Sequence, residues 1–416
     1  MVHFQNKFER EIEVKGHLID SMILSRIFDK VMDLDGEFEV LEFKIGKEKK
    51  SPSYAKLLVK GKTKEHLEQL LEEVYREGAV SVIVEEVMLE KAPADMVMPD
   101  NFYSTTNNPT LIYKDAWIEV EDMMMDKCMV FDPVTKKAFC KAIREIRKGD
   151  LTVVGEKGVR VMPPERPREG IDVFQFMGSS TSSERPTQHI VRKVAQGIYN
   201  TKAKGGKIVV VGGPAIVHTG AADALAKLIR MGYIDAVLAG NALAVHDIEY
   251  ALMGTSLGMH VSDGTLAITG HRNHMQAVNE VFKAGSIENM VKKGILKSGI
   301  FYECVKNKVQ YVLAGSLRDD GPIPGCITDV VEAQRKHKEA LSDADMVLML
   351  CTMLHSIAVG NMLQSNVKVV IVDISQPTVT KLLDRGTWQA IGLVSDVGAF
   401  LPMVVQHLEH ESKAKH

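Results

Sequence analysis

Apolar and polar positions change their period along the chain, and each change predicts a different kind of element. Over the first hundred residues, alternation marks strands at Phe8 to Leu18, Phe38 to Ile45, Ala55 to Val59 and Val80 to Leu89. Between them, Ile23, Ile27, Phe28 and Val31, and then Leu67, Leu70, Leu71 and Val74, recur at helical spacing. The predicted order is β-α-β-β-α-β, a ferredoxin-like unit, which either binds a small ligand such as an amino acid, pairs with a copy of itself, or is purely structural. From Thr110 to about Pro164 the pattern shortens to strands broken at Asp132-Pro133, Gly149-Asp150 and Glu156-Lys157-Gly158, as in a small β-barrel or sandwich. A Pro-rich stretch, Met162 to Gly170, then reads as a boundary. The expected domains are 1-105, ferredoxin-like α+β; 106-168, small β; and 169-416, α/β.

In the last of these, one grammar repeats six times: an unbroken apolar strand, a glycine or polar crest, then a helix. The strands are Ile208 to Val211, Asp235 to Leu238, Val309 to Leu313, Met346 to Leu350, Val367 to Val372 and Ile391 to Val394. Strands without polar alternation are covered on both faces, so a parallel sheet is predicted, with ligands bound outside its carboxyl ends. The crests then hold the candidate nucleotide contacts. Gly213 and Pro214 bare the backbone, Asn241 and Ala242 open a helix where amides could meet a pyrophosphate, and Thr352, Met353, Leu354 and His355 offer backbone groups and an apolar wall. Asp373, directly after VVIV, is placed to accept ribose hydroxyls, a preference for NAD; Asp320, Asp396 and Val397 complete the set. Each such Asn or Asp could equally be a helix N-cap. The motif is not GxGxxG, so the expectation rests on the six crests together.

Candidate chemistry centres on histidine and arginine. GHRNHM, read as a polar loop, groups His271, Arg272 and His274; an arginine there could clamp a carboxylate, and a histidine could move protons. His218 and His246 lie on crests and could reach the same place. Each histidine alone could be a capping or surface residue. The Gly178-Ser-Ser-Thr-Ser-Ser run, with Arg185 and His189 and a helix cap at Ser182 or Ser183, could bind an anion or be a solvated cap. No metal is expected, because no two donors stand at a persuasive ligand spacing. Cys326 and Cys351 sit in apolar company, where an inert thiol is the default.

Composition narrows the class. With 416 residues, 45% hydrophobic, 25% charged and a formal charge of -3, the chain suits a globular protein without a nucleic-acid partner. Five cysteines without a C-x-x-C pair, no signal-peptide core and no membrane-spanning run lead us to expect a cytoplasmic protein.

FMGSSTSSERP, GGPAIVHTGA, AGNALAVHDIE, GHRNHM and AGSLRDDGPIPG together resemble the conserved region named after lysine-oxoglutarate reductase and saccharopine dehydrogenase (LOR/SDH). Over essentially its whole length the chain is similar to the archaeal-type ornithine cyclodeaminases, whose Rossmann-like nucleotide domain resembles deoxyhypusine synthase. The resemblance implies conversion of L-ornithine to L-proline and ammonia, with NAD⁺ taking a hydride from the substrate, cyclisation of the imine, and return of the hydride. It implies a carboxylate clamp, assigned to Arg272, and a proton acceptor from His218, His246, His271 or Asp320. It also implies a homodimer or homotetramer. Two alternatives stay open: a net NAD-dependent amino-acid dehydrogenase of the lysine or saccharopine type, and a noncatalytic NAD- or amino-acid-sensing protein.

Overall fold

The computed structural model describes residues 8–16, 18, 22–46, 52–82, 85–106, 108–125, 127–162, 187–261, 264–265, 270–319, 321–384 and 390–413. Two compact units divide the chain, Met1–Val173 and Phe174–His416.

The first unit carries two sheets. In the first sheet, β1 (Phe8–Gly16), β2 (Glu37–Lys44), β3 (Ser53–Gly61) and β4 (Val80–Ser81) lie in the order β2-β3-β1-β4, all antiparallel. Helices α1 (Ile23–Asp33) and α2 (Lys64–Arg76) join them, which is the ferredoxin-like arrangement expected. Strict alternation along β3 buries Ala55, Leu57 and Val59, and these pack with Ile27 and Val31 of α1 and Leu67, Leu70 and Val74 of α2. Thr63 caps α2 by accepting from the His66 amide.

The closing strand differs from expectation. Val80 to Leu89 is not continuous: only Val80 and Ser81 pair with β1, while β5 (Met88–Lys91) joins the next sheet. That sheet contains β6 (Thr110–Lys114), β7 (Ala116–Glu121), β8 (Cys128–Asp132), β9 (Lys137–Lys141), β10 (Leu151–Val154) and β11 (Val159–Val161), in the order β11-β6-β7-β9-β8-β10-β5. Its core is Ile112, Val120, Met129, Phe131, Ala138 and Val153.

The second unit opens with α3 (Thr187–Ala203), whose Val194 and Ile198 are buried as their spacing predicts. The Gly-Ser-Ser-Thr-Ser-Ser run, Arg185 and the caps Ser182 and Ser183 lie outside the described residues. Six strands then form one parallel sheet: β12 (Lys207–Gly212), β13 (Ala236–Gly240), β16 (Gln310–Ala314), β17 (Ala344–Leu350), β18 (Lys368–Asp373) and β19 (Ala390–Val394). Their order is β16-β13-β12-β17-β18-β19. Numbered among themselves the strands run 3-2-1-4-5-6, the doubly wound order whose reversal falls between β12 and β17.

Alternate residues of each strand enter opposite cores. Ile208, Val210, Leu348 and Val370 join one cluster, and Val209, Val211, Val347 and Ile371 the other. The period-two pleat thus explains why these strands lack polar positions. The short antiparallel pair β14 (Thr255–Ser256) and β15 (Met259–His260) is a separate ribbon.

Candidate active site

Because the six strands are parallel, their carboxyl ends share one edge, and glycines let neighbouring crests close on one another there. A Cβ on Gly213 would lie 2.0 Å from the Cys351 carbonyl oxygen, so the crests after β12 and β17 touch through bare backbone. One on Gly240 would lie 2.9 Å from Cε1 of His355, at the start of α11 (Met353–Gly360). After β18, Asp373 turns its Oδ1 to the Ser375 amide at 2.8 Å. After β19, Asp396 Oδ1 accepts from Gly398 at 2.8 Å, starting α13 (Val397–Lys413).

The rim of this edge is apolar although exposed. Leu317, Met353, Leu354, Ile374 and Val394 each follow or end a strand of the sheet, and Leu354 is 69% exposed and Ile374 76%. Apolar side chains gathered at one edge mark a surface that something covers.

Two candidate contacts are turned inward. Asn241 is 2% exposed, and its Oδ1 accepts from the Ile323 amide at 3.0 Å, fixing the loop after β16. Val397 belongs to the core. Pro214 and Ala242 are half-buried beside their glycines. Asp320 lies outside the described residues, as do the side chains of His271 and Arg272.

The histidines converge. α6 (Asn241–Met253) follows β13 and is buried almost throughout, including His246, Asp247 and Glu249. Burying ionisable groups is costly unless each finds partners, and each does. Asp247 accepts from the Ile300 and Phe301 amides at 2.9 and 3.0 Å, capping α9 (Ile300–Lys306); burial pushes its carboxyl up to about 7, those two donors opposing. Three residues after His246, and therefore on the same helix face, Glu249 bonds Nδ1 of that histidine at 3.2 Å through Oε2. Its Oε1 accepts from Thr255 Oγ1 at 2.9 Å and the Gly258 amide at 3.1 Å. Burial raises the Glu249 carboxyl, but the His246, Gly258 and Thr255 donors outweigh it, and the net shift is downward, toward carboxylate.

GHRNHM proves to be the first turns of α7 (Gly270–Ala284), where a loop was expected. That helix brings Asn273 to Thr255, Nδ2 to Oγ1 at 2.9 Å, and His274 to the cluster. The His246 and His274 ring centroids are 4.7 Å apart, and His274 Nδ1 is 3.9 Å from Glu249 Oε2. On the other side of His246, the His218 ring stands 4.6 Å away, its Nδ1 bonded to Ser256 Oγ at 2.7 Å. Burial, with the His246 ring beside it, pushes the His218 imidazole down to about 4, so it is neutral near pH 7. His218 ends α4 (Ala215–His218), the helix directly after the Gly213 crest.

A buried carboxylate thus orients one of three adjoining imidazoles, an arrangement that can accept and pass a proton. The donor atoms of His246, Glu249 and His274 lie within 4.8 Å of one another, so they could also hold a metal ion, a grouping hidden from ligand spacing because the third donor comes from another helix. Sequence reasoning passed over Glu249, Thr255, Ser256 and Asn273; the i, i+3 pair within AVHDIE was the available signal. The thiols are pushed up, Cys326 to about 11 and Cys351 to about 12, mainly by burial, and stay protonated.

The comparisons agree with this architecture. Residues 9–108 match the LOR/SDH bifunctional enzyme conserved region, and 109–191 the first region of the arginine dihydrolase ArgZ-like C-terminal part. Residues 192–404 match its Rossmann fold. The fold therefore defines a LOR/SDH-region protein with a Rossmann-type second unit. Ornithine cyclodeaminase of Methanocaldococcus jannaschii is 56% identical, over 98% of this chain and 97% of its own, and that of Archaeoglobus fulgidus is 56% identical over 95% and 97%. The chain belongs to the ornithine cyclodeaminase family of archaea. Among solved structures, a conserved LOR/SDH protein from Methanococcus maripaludis superposes with a TM-score of 0.74 at 49% identity, covering 79% of this chain and 98% of that one. AgrE, solved in a ternary complex with ornithine and NAD⁺, gives 0.54 at 39% identity, covering 98% of this chain and 58% of AgrE.

Proposed function

We propose that this protein is an ornithine cyclodeaminase that binds NAD⁺ along the carboxyl edge of the parallel sheet and converts L-ornithine to L-proline and ammonia without net oxidation. The observation that carries the reading is the buried Glu249–His246 pair, flanked by neutral His218 and by His274, beside the crest of β12. Family membership, and AgrE's capture with ornithine and NAD⁺, support the substrate and the cofactor.

The edge fits a dinucleotide on three counts. Gly213 leaves backbone bare where β12 and β17 meet, at the reversal of strand order. The exposed Leu317, Met353, Leu354 and Ile374 would cover ring faces. Asp373 Oδ1 takes the Ser375 amide, and Oδ2, with no partner among the described residues, would accept ribose hydroxyls. NAD⁺ bound there supplies a reversible two-electron acceptor for the substrate's α-carbon.

The chain's own groups handle protons and water. Glu249 holds the proton of His246 on Nδ1, which leaves Nε2 as the lone pair that accepts a proton from a substrate amine. His218, neutral near pH 7, and the His274 ring beside His246 extend the path, and the leaving nitrogen regains its proton as ammonia departs. Arg272, at the start of α7, is assigned the substrate carboxylate. A buried cluster limits the water that would hydrolyse an open imine.

The test is incubation of purified protein with L-ornithine, with and without added NAD⁺, following proline, ammonia and reduced cofactor together. Equal proline and ammonia with no accumulating reduced cofactor support the reading. Accumulating reduced cofactor makes the protein a net dehydrogenase, and bound NAD⁺ with no product makes it a sensor.

A further inference from the structure

The first unit contains a cavity of about 300 Å³ that the proposed reaction does not use. This is the size of a small-ligand site. It lies where α2 faces the turn from Gly155 to Arg160 that leads through β11. Its floor is apolar, built by Leu71, Val80 and Val159, all buried, and the Trp117 and Tyr75 rings stand in its walls.

Among the described lining residues the charges are unbalanced. Five carboxylates, Glu13, Glu68, Glu72, Glu85 and Glu156, face three cations. Two of those cations are already committed to Glu85: Arg10 Nη1 at 3.6 Å and Lys157 Nζ at 2.8 Å. The Lys157 hydrogen bond is the main reason that the Glu85 carboxyl is held below its usual range. Glu68 and Glu72 stand one turn apart on α2 and repel each other, and neither has an ion pair or hydrogen bond among the described residues. The third cation, Arg160, has its guanidinium over the Trp117 ring at 5.8 Å from the centroid, with no carboxylate partner among the described residues. A cavity with a carboxylate pair and a guanidinium that find no ionic partner among the described residues, and an apolar floor between charged walls, has the polarity of one kind of small molecule.

We propose that this cavity is a second binding site, for an α-amino acid with a cationic side chain, held by its side chain at Glu68 and Glu72 and by its carboxylate at Arg160. Its methylene stem covers Leu71 and Val159. The site belongs to the first unit and stands whether or not the reaction proposed above is correct. Occupancy by a basic amino acid other than the substrate would let the first unit report amino-acid supply.

The probe is L-arginine, titrated into the full-length protein by calorimetry, with L-norleucine as the uncharged control. The expected result is saturable arginine binding, with norleucine weaker by about tenfold or more. Glu68→Gln/Glu72→Gln, at exposed or half-buried helix positions where loss of repulsion favours the fold, and separately Arg160→Met, should each weaken arginine by about tenfold. His246→Ala, in the other unit, should leave arginine binding unchanged. No saturable arginine binding would overturn the proposal. So would binding that is lost in His246→Ala and kept in both cavity variants, which would assign arginine to the ornithine site.

Discussion

Glu249→Gln changes one atom in the buried cluster and should expose how the cluster works. Glu249 is fully buried, with two donors on Oε1, from Thr255 and Gly258, and one on Oε2, from His246. A glutamine there must turn its oxygen to the two donors, which puts its NH₂ against His246 Nδ1. That nitrogen must then become an acceptor, and the imidazole proton moves to Nε2, where the lone pair is needed. Losing a correctly held general base costs about 10²–10⁴ in rate, or about 2.7–5.4 kcal/mol at 1.36 kcal/mol per decade. Replacing charge-assisted hydrogen bonds by neutral ones costs about 1–3 kcal/mol of stability, which the fold should survive. Steady-state proline formation gives kcat and KM, and a melting curve confirms folding. The account expects kcat to fall with KM much less changed. A folded variant with kcat within about threefold of the parent would refute the assignment.

Gly213→Ala brings a Cβ to 2.0 Å from the Cys351 oxygen, so the crest must shift; NAD⁺ affinity should drop by about tenfold or more, read by equilibrium titration. Arg272→Ala should raise the KM for ornithine and leave NAD⁺ binding in place, and unchanged kinetics would remove it from the site. His337, 3% exposed, is pushed down to about 4 from the usual 6.5 by burial and by the His355 ring. The unfolded chain therefore takes the proton first as pH falls, and stability present above 6.5 is lost toward 4. His337→Gln should lose less stability than the parent across that window in denaturant titrations; parallel curves would contradict this. A chelator should leave turnover unchanged if His246, Glu249 and His274 act as a proton path, whereas loss that divalent metal restores would make them a metal site.

Much of the scaffold was readable because burial on two faces removes polar positions from a strand. Lys207–Gly212 and Lys368–Asp373 announce themselves that way. Strand order did not, since it depends on which crossover passes where, and no local pattern records it. Val80 to Leu89 misled because alternation says that a segment is extended without saying which sheet it joins. GHRNHM looked like a loop because polar residues were taken for solvent exposure, whereas Asn273 is 9% exposed and satisfied by Thr255. The histidines were weighed singly, and their meaning lies in Glu249, whose role appears only when α6, α7 and the β14 ribbon meet.

The central claim is that the substrate's α-carbon gives up two electrons and receives them back within one site. Ornithine deuterated at the α-carbon tests it most directly, with the proline product examined by mass spectrometry and reduced cofactor followed alongside. The account predicts proline that keeps its deuterium at the α-carbon, ammonia in equal amount, and no accumulation of reduced cofactor. Proline that has lost the label to solvent, or deuterated reduced cofactor accumulating with turnover, would contradict it.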